Sequence, residues 1–91
     1  MMNQKDDFVT AYDSAMNDPK KVRAQLLLDF LIQVREAMIA QGITDIDMSE
    51  RLGLEPEYLN CLFTGQIKMR LDLMVRISVA LRCRLRFTLE K

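Results

Sequence analysis

Histidine is absent from the 91 residues, which removes imidazole acid–base catalysis and the commonest side-chain ligand of transition metals. Only two cysteines are present, Cys61 and Cys83, and they form no C-x-x-C pair, so the sequence predicts reduced thiols rather than a zinc site or a disulfide framework. The three glycines are far apart, so no glycine-rich phosphate-binding loop is present. We therefore expect a protein that is not an enzyme and that uses no cofactor or metal.

Long apolar runs are missing as well. No stretch is long enough to cross a membrane, and the N-terminal sequence MMNQKDDF is polar and acidic, unlike a signal peptide. These features predict a cytoplasmic protein. A chain of this length buries a thin core and often gains stability by self-association, so a homodimer is expected.

Charge is spread unevenly along the chain although the net charge is zero. Residues 43–64 hold five carboxylates and one cation, whereas residues 65–91 hold seven cations and two carboxylates. The basic C-terminal third favours contact with a polyanion more than the total charge would indicate.

Helical periodicity begins near the N-terminus. Residues 5–17 place four apolar residues on one stripe of a short helix, which either docks on the core or is an arm that orders on a partner; docking is favoured. We treat residues 1–18 as this helix or arm and residues 19–91 as one domain. Asp18-Pro19 predicts the start of a long helix that ends near Gln41, where Gly42 follows. Its broad buried face is expected to include Val22, Leu26, Leu27, Phe30, Leu31, Val34, Met38 and Ile39.

The segment TDIDMSERLGLEPEYLNCLFTG, residues 44–65, predicts two short helices around Gly53. Thr44 and Asp47 have the spacing of a capping box at the start of the first helix, and Glu55-Pro56 opens the second. Gly65 ends the pair. The inward positions are Met48, Leu52, Leu59, Leu62 and Phe63.

The C-terminal residues change period. Residues 71–82 predict a last helix, with Leu71, Met74, Val75, Ile77 and Leu81 as its core positions, and residues 83–90 then alternate as a half-buried strand does. Leu85, Phe87 and Leu89 lie on one face of that strand. No second strand is visible in the sequence, so we expect antiparallel pairing with the same strand of another copy.

Residues 44–65 resemble the helix-turn-helix of the Xre and phage-repressor superfamily. The following stretches, GQIKMRLDLMVRI and ALRCRLRFTL, are similar to those of small HigA-type antitoxins, and the resemblance covers roughly residues 26–90. It implies an all-α, five-helix, lambda-repressor-like domain with one C-terminal β-strand that pairs across a dimer. It further implies a bacterial or phage transcriptional regulator, of antitoxin or autorepressor type, that binds double-stranded DNA sequence-specifically as a homodimer.

The same resemblance assigns candidate site residues. The base-contacting positions are Glu57, Tyr58, Asn60 and Cys61, and the phosphate-contacting positions are Thr44, Arg51, Lys68 and Arg70. The dimer interface, which follows from the alternation of residues 83–90, is Leu85, Phe87 and Leu89.

The sequence departs from that superfamily's pattern in three ways. Asp45 stands where many repressors carry a glutamine that helps to hold a phosphate. Met38 and Phe63 replace an arginine–glutamate pair, which predicts an apolar contact between them. Arg70 replaces a small capping residue before the last helix.

The predicted recognition helix carries no cation, so two hypotheses remain open. In the first, Asn60 contacts adenine, Glu57 accepts from cytosine, and affinity comes from cations outside the helix. In the second, the two-helix unit binds a protein with little DNA affinity of its own, and Glu55, Glu57, Tyr58 and Cys61 meet a basic or apolar patch on a toxin or other partner. A structural role for Glu57 also stands, since a carboxylate in the first turn stabilises a helix.

Overall fold

The computed structural model describes residues 18–91, so the helix predicted at residues 5–17 lies outside the described residues. Four helices are present in this part of the chain, which confirms its all-α character. They are α1 (Pro19–Gln41), α2 (Asp45–Leu52), α3 (Pro56–Phe63) and α4 (Leu71–Ala80).

The chain divides into two compact units, and the boundary between them follows Phe30, within α1. In the first unit, the described residues begin at Asp18, whose side-chain Oδ1 accepts a hydrogen bond from the Lys20 amide at 3.0 Å. Its backbone carbonyl accepts from the Val22 amide at 3.1 Å. Pro19 has no backbone N–H, but the first residues of a helix have no partner within the helix for that group. Proline at this position therefore loses no hydrogen bond. The predicted start of α1 is confirmed.

The second unit, residues 31–91, contains a core to which all four helices contribute. α2 packs against both α3 and α4. The predicted inward positions Met48 and Leu59 are 0% and 1% exposed. The buried apolar side chains are Val34, Met38, Ile43, Met48, Leu52, Leu59, Leu62, Ile77 and Leu81.

The buried face of α1 is narrower than the sequence predicts. Only Val34 and Met38 are fully buried along this helix, whereas Leu26 and Ile39 are 57% and 73% exposed. Leucine and isoleucine almost encircle this helix, so apolar periodicity alone does not single out the side that the core uses.

All four described helices end in the same way. Gly42, Gly53 and Gly65 adopt positive φ angles of 69°, 67° and 78°, as their predicted roles require. At α4 the equivalent residue is Arg82, with φ 56°. In each case the following amide returns to a carbonyl near the end of the helix; the Cys83 amide, for example, donates to the Ser78 carbonyl at 2.9 Å. This is the Schellman arrangement, in which glycine normally occupies the left-handed position.

Arg82 is the only non-glycine residue with a positive φ among residues 18–91, so its replacement has a predictable sign. A side chain in the left-handed region costs free energy that glycine avoids, and the greater freedom of unfolded glycine offsets part of the gain. We expect Arg82→Gly to stabilise the monomeric domain by about 0.5–1 kcal/mol in urea denaturation at a protein concentration too low for self-association. Arg84→Gly, in the C-terminal segment without regular structure, is the control; an equal gain there would contradict the explanation.

Residues 83–91 carry no strand in the described chain, contrary to the strand predicted at residues 83–90. The physical reason is the absence of a ladder partner, because no other described segment is a strand. Leu85 is half-buried, whereas Phe87 and Leu89 are 68% and 102% exposed. The proposed interface side chains are thus left open in a single copy.

Candidate nucleic-acid interface

The first helix of the two-helix unit begins with the predicted capping box. The Asp47 amide donates to Thr44 Oγ1 at 3.1 Å, and the Thr44 amide donates to Asp47 Oδ2 at 3.0 Å. The Thr44 backbone N–H, and then its hydroxyl, hold the pKa of the Asp47 carboxyl below its ordinary value of 3.8. The Thr44 side chain therefore has a structural role in the cap, and its contact with a phosphate stays a prediction.

The capping box predicts a pH-dependent stability. A carboxylate with a lowered pKa in the folded state stabilises the fold above its unfolded pKa and loses that effect as pH falls through the folded value. We expect Asp47→Ala to lower the melting temperature at neutral pH, and we expect the deficit to shrink as the pH is taken below about 4. Thermal denaturation by circular dichroism from pH 7 to strongly acidic pH measures this difference. A deficit that is constant across that range would contradict a role for the ionised carboxylate.

The turn between α2 and α3 is fixed by backbone hydrogen bonds. The Gly53 amide donates to the Glu50 carbonyl at 3.2 Å, and the Leu54 amide donates to the Ser49 carbonyl at 2.9 Å. Pro56 then occupies the first turn of α3, with Glu55 in extended conformation before it. Because both ends of the turn are fixed, α3 leaves α2 in one defined direction.

The helix α3 presents a small polar face. Glu57, Asn60 and Cys61 have i, i+3 and i+4 spacing and therefore share one side of the helix. Glu57 and Asn60 are exposed and Cys61 is half-buried, whereas Leu59 and Leu62 face the core. Tyr58, 41% exposed, lies at the edge of this face. The structure thus brings together three of the four predicted base-contacting residues and places the fourth beside them.

Asp45, which the resemblance marks as a phosphate-repelling position, forms an ion pair at the domain surface, where its side chain is 60% exposed. Arg35 of α1 donates to Asp45 Oδ1 at 2.6 Å. The same guanidinium lies over the Phe63 ring, 4.6 Å from its centroid, in a cation–π contact. Arg35 therefore joins α1, α2 and α3 and cancels one of the carboxylates of the two-helix unit. With Asp47 held in the capping box, Glu50, Glu55 and Glu57 are the acidic side chains of residues 44–65 that form no ion pair within residues 18–91.

Phe63 thus has a cation as its neighbour, at a position where the resemblance predicts an apolar contact with Met38. Met38 is 1% exposed, and a contact between it and Phe63 stays a prediction. The sequence carried no signal for the Arg35 arrangement, since its three members come from three helices.

Two further arginines, one on α2 and one on α4, each donate a hydrogen bond to the C-terminal end of the other helix. Arg51 of α2 donates to the Ala80 carbonyl in the last turn of α4 at 2.9 Å. In return, Arg76 of α4 donates to the Leu52 carbonyl in the last turn of α2. Each guanidinium bonds a carbonyl that has no partner within the helix to which the carbonyl belongs. Each also lies at the negative end of that helix's dipole. Arg51, a predicted phosphate contact, therefore also has a structural role, and only its remaining N–H groups are available to a phosphate.

Lys68 and Arg70, the other predicted phosphate contacts, lie in the segment between α3 and α4 and are exposed. Arg70 Nε is 3.5 Å from Asp72 Oδ1, with side chains that are 78% and 75% exposed. An ion pair this open contributes little and is readily exchanged, so Arg70 can turn to another anion at small cost.

Residues 18–91 contain no group of cysteine, aspartate or glutamate side chains arranged to hold a metal ion. None of the four described helices combines the length and apolar character needed to cross a membrane.

Comparison with protein-family models gave no match, and neither a curated protein nor a solved structure matches the chain.

Proposed function

We propose that this protein is a sequence-specific DNA-binding transcriptional regulator, of antitoxin or autorepressor type, that acts as a homodimer. One observation carries the proposal: a capped, tightly turned helix pair anchors α3 through Leu59 and Leu62 and leaves Glu57 and Asn60 pointing away from the core. In helix-turn-helix proteins the second helix of such a pair lies in the major groove.

The exposed face of α3 offers specific chemistry to base edges. The Asn60 amide can bond adenine at N6 and N7, and the Glu57 carboxylate can accept from the cytosine amino group. The Tyr58 ring can contact a thymine methyl group. Cys61 is small and half-buried, so it allows a base pair to approach the helix closely.

Affinity has to come from outside α3. Lys68 and Arg70 follow α3 in the chain, while the Thr44 hydroxyl and Arg51 lie on the preceding element. Since Glu55 and Glu57 repel phosphates, binding should be modest and should weaken steeply as salt increases.

The homodimer supplies the second half-site. We assign residues 83–90 as a strand that forms only when it pairs antiparallel with the same segment of a second copy, which buries Leu85, Phe87 and Leu89. The exposure of Phe87 and Leu89 in the single chain supports this assignment. A two-fold dimer would place its two α3 helices on half-sites about one helical turn of DNA apart.

Fluorescence anisotropy with a labelled duplex separates the two classes of contact. Lys68→Ala and Arg70→Ala should weaken binding to every sequence, and each should lower the salt slope by about one for every phosphate that the variant no longer neutralises in a half-site. Asn60→Ala should instead abolish discrimination at one base pair per half-site, at about 1–3 kcal/mol. Lys91→Ala, at the exposed C-terminus, is the charge-matched control.

A salt slope that is unchanged in both cation variants would contradict the assigned phosphate contacts. Absence of binding to any duplex at low salt would remove the regulator function.

A protein-interaction module is the second candidate. The observation that favours it is that, within residues 18–91, neither Glu55 nor Glu57 takes part in an ion pair. An exposed acidic edge next to Tyr58 suits a basic partner surface, such as that of a toxin. This function would be supported by failure to bind duplex DNA at low salt together with saturable binding of a defined basic partner that Glu57→Gln weakens.

A further inference from the structure

The helix α4 has a second apolar face that the core does not use. Its inward side buries Ile77 and Leu81, which are 0% and 2% exposed. On the opposite side Leu71, Val75 and Val79 are 60%, 45% and 68% exposed. Their i, i+4, i+8 spacing places them in one line along the helix. We call these three residues the outer stripe.

The outer stripe makes α4 apolar around most of its circumference. Only Asp72 and Arg76 interrupt the solvent side, and Arg76 is turned toward the Leu52 carbonyl. A helix that is apolar on two sides is typical of one packed on two sides, and a line of exposed large apolar side chains marks an interaction surface.

We propose that the outer stripe binds the outer stripe of a second copy, with the two α4 helices antiparallel and the two-fold axis at Val75. This proposal rests on the homodimer of the proposed function and specifies where that dimer forms. With Val75 at the axis, Leu71 of each copy packs against Val79 of the other, so each apolar residue of the stripe has an apolar partner.

The charges at the two ends of the stripe select a second copy in antiparallel orientation. Asp72 lies beside the N-terminal end, where its exposed ion pair with Arg70 is readily exchanged, and Arg82 follows the C-terminal end. In the antiparallel pair Asp72 lies at the level of Ser78 of the other copy. Arg82 of that copy is four residues further along the helix axis, or about 6 Å, so its long side chain can reach Asp72. Two such pairs form about the axis, and the helix dipoles also oppose each other. A parallel pair would instead place like charges together.

The stripe is continuous with the C-terminal segment. A specific interface buries at least about 1,000 Å² in total, more than six aliphatic side chains supply. The segment with Phe87 and Leu89 begins directly after Arg82, at the end of the stripe, and extends the apolar surface of the same interface.

Sedimentation equilibrium of Val75→Glu tests the stripe directly. Two carboxylates would meet at the two-fold axis, so the dimer should weaken about a hundredfold or more. Ile46→Glu is the control, because Ile46 is 63% exposed and lies on a different helix, α2. Since Val75 is itself 45% exposed, the far-ultraviolet circular dichroism of the monomer should stay that of the wild type. A dimer constant equal to that of the control would overturn the proposal.

A charge exchange tests the orientation. Asp72→Arg alone, or Arg82→Glu alone, places like charges at both ends of the antiparallel pair and should weaken the dimer about tenfold. An equimolar mixture of the two variants forms heterodimers in which both pairs are again of opposite charge, so the mixture should dimerise as strongly as the wild type. A mixture no stronger than the single variants would overturn the antiparallel arrangement.

These outcomes are independent of DNA binding. If wild-type protein binds no duplex but Val75→Glu is monomeric, the regulator function fails and the interface stands. If wild-type protein binds DNA while Val75→Glu stays dimeric, the interface fails and the regulator function stands.

Discussion

Leu59→Ala should destabilise the domain by about 2–5 kcal/mol, because it removes a buried leucine side chain and leaves a cavity. Leu59 is 1% exposed and is one of the two residues that hold α3 against the core. A domain of this size has little stability to spare, so we expect much of the variant to be unfolded at 37 °C. Urea denaturation followed by circular dichroism gives the change in free energy.

The neighbouring residue provides a matched control for Leu59. Tyr58 is 41% exposed and lies at the edge of the proposed base-contacting face. Tyr58→Ala should change the unfolding free energy far less than Leu59→Ala does, while it weakens DNA binding. If the two variants were equally destabilised, the assigned orientation of α3 would be wrong.

Gly53→Val should be the second most damaging change. Gly53 has φ 67°, and a β-carbon built on it would meet no atom within 4 Å, so the penalty is torsional rather than steric. We expect a loss of more than about 1 kcal/mol, since a β-branched residue is poorly tolerated in the left-handed region.

A substitution series separates backbone strain from other causes. Gly53→Asn should cost least, because asparagine enters the left-handed region more readily than alanine or valine; Gly53→Ala should be intermediate. Denaturation midpoints that do not follow the order asparagine, alanine, valine would show that the turn conformation is not the source of the loss. A measurable drop in DNA affinity in the folded fraction would further indicate that the turn sets the direction of α3.

The features that the sequence predicted are local ones. A capping box is formed by residues three apart, so Thr44 and Asp47 could be identified from spacing. Glycine indicated the left-handed ends at Gly42 and Gly53 and the end of α3 at Gly65. Core positions on α2 and α3 followed from periodicity because these helices have one apolar side.

The features that the sequence did not predict depend on contacts between distant residues. Arg35 contacts Asp45 and Phe63. Arg51 of α2 donates to a carbonyl of α4, and Arg76 of α4 donates to a carbonyl of α2. Nothing in linear spacing selects one arginine over another for these roles. The strand predicted at residues 83–90 is missing for another reason. Alternation describes a side-chain pattern, whereas a strand also needs a hydrogen-bonding partner, which the single described chain lacks.

The negative charge of residues 44–65 opposes DNA binding less than the sequence indicates, because two of its five carboxylates have partners within the domain. Asp45 is paired with Arg35, and Asp47 is bonded to the start of α2. Of the remaining carboxylates, Glu57 has the most informative position. Glu57→Gln should tighten binding to all DNA if the carboxylate only repels phosphates, and should weaken binding to the specific site alone if it accepts from cytosine.

Selection from a random duplex library at physiological salt tests the central claim of sequence-specific binding most directly, because the library contains every candidate operator sequence at once. We predict enrichment of an inverted repeat whose half-sites lie about one helical turn, 10–10.5 base pairs, apart. Selection with Asn60→Ala should relax one position in each half-site and leave the spacing unchanged. Duplexes that are retained without any enriched sequence, or that are not retained at all, would contradict sequence-specific DNA binding by this protein.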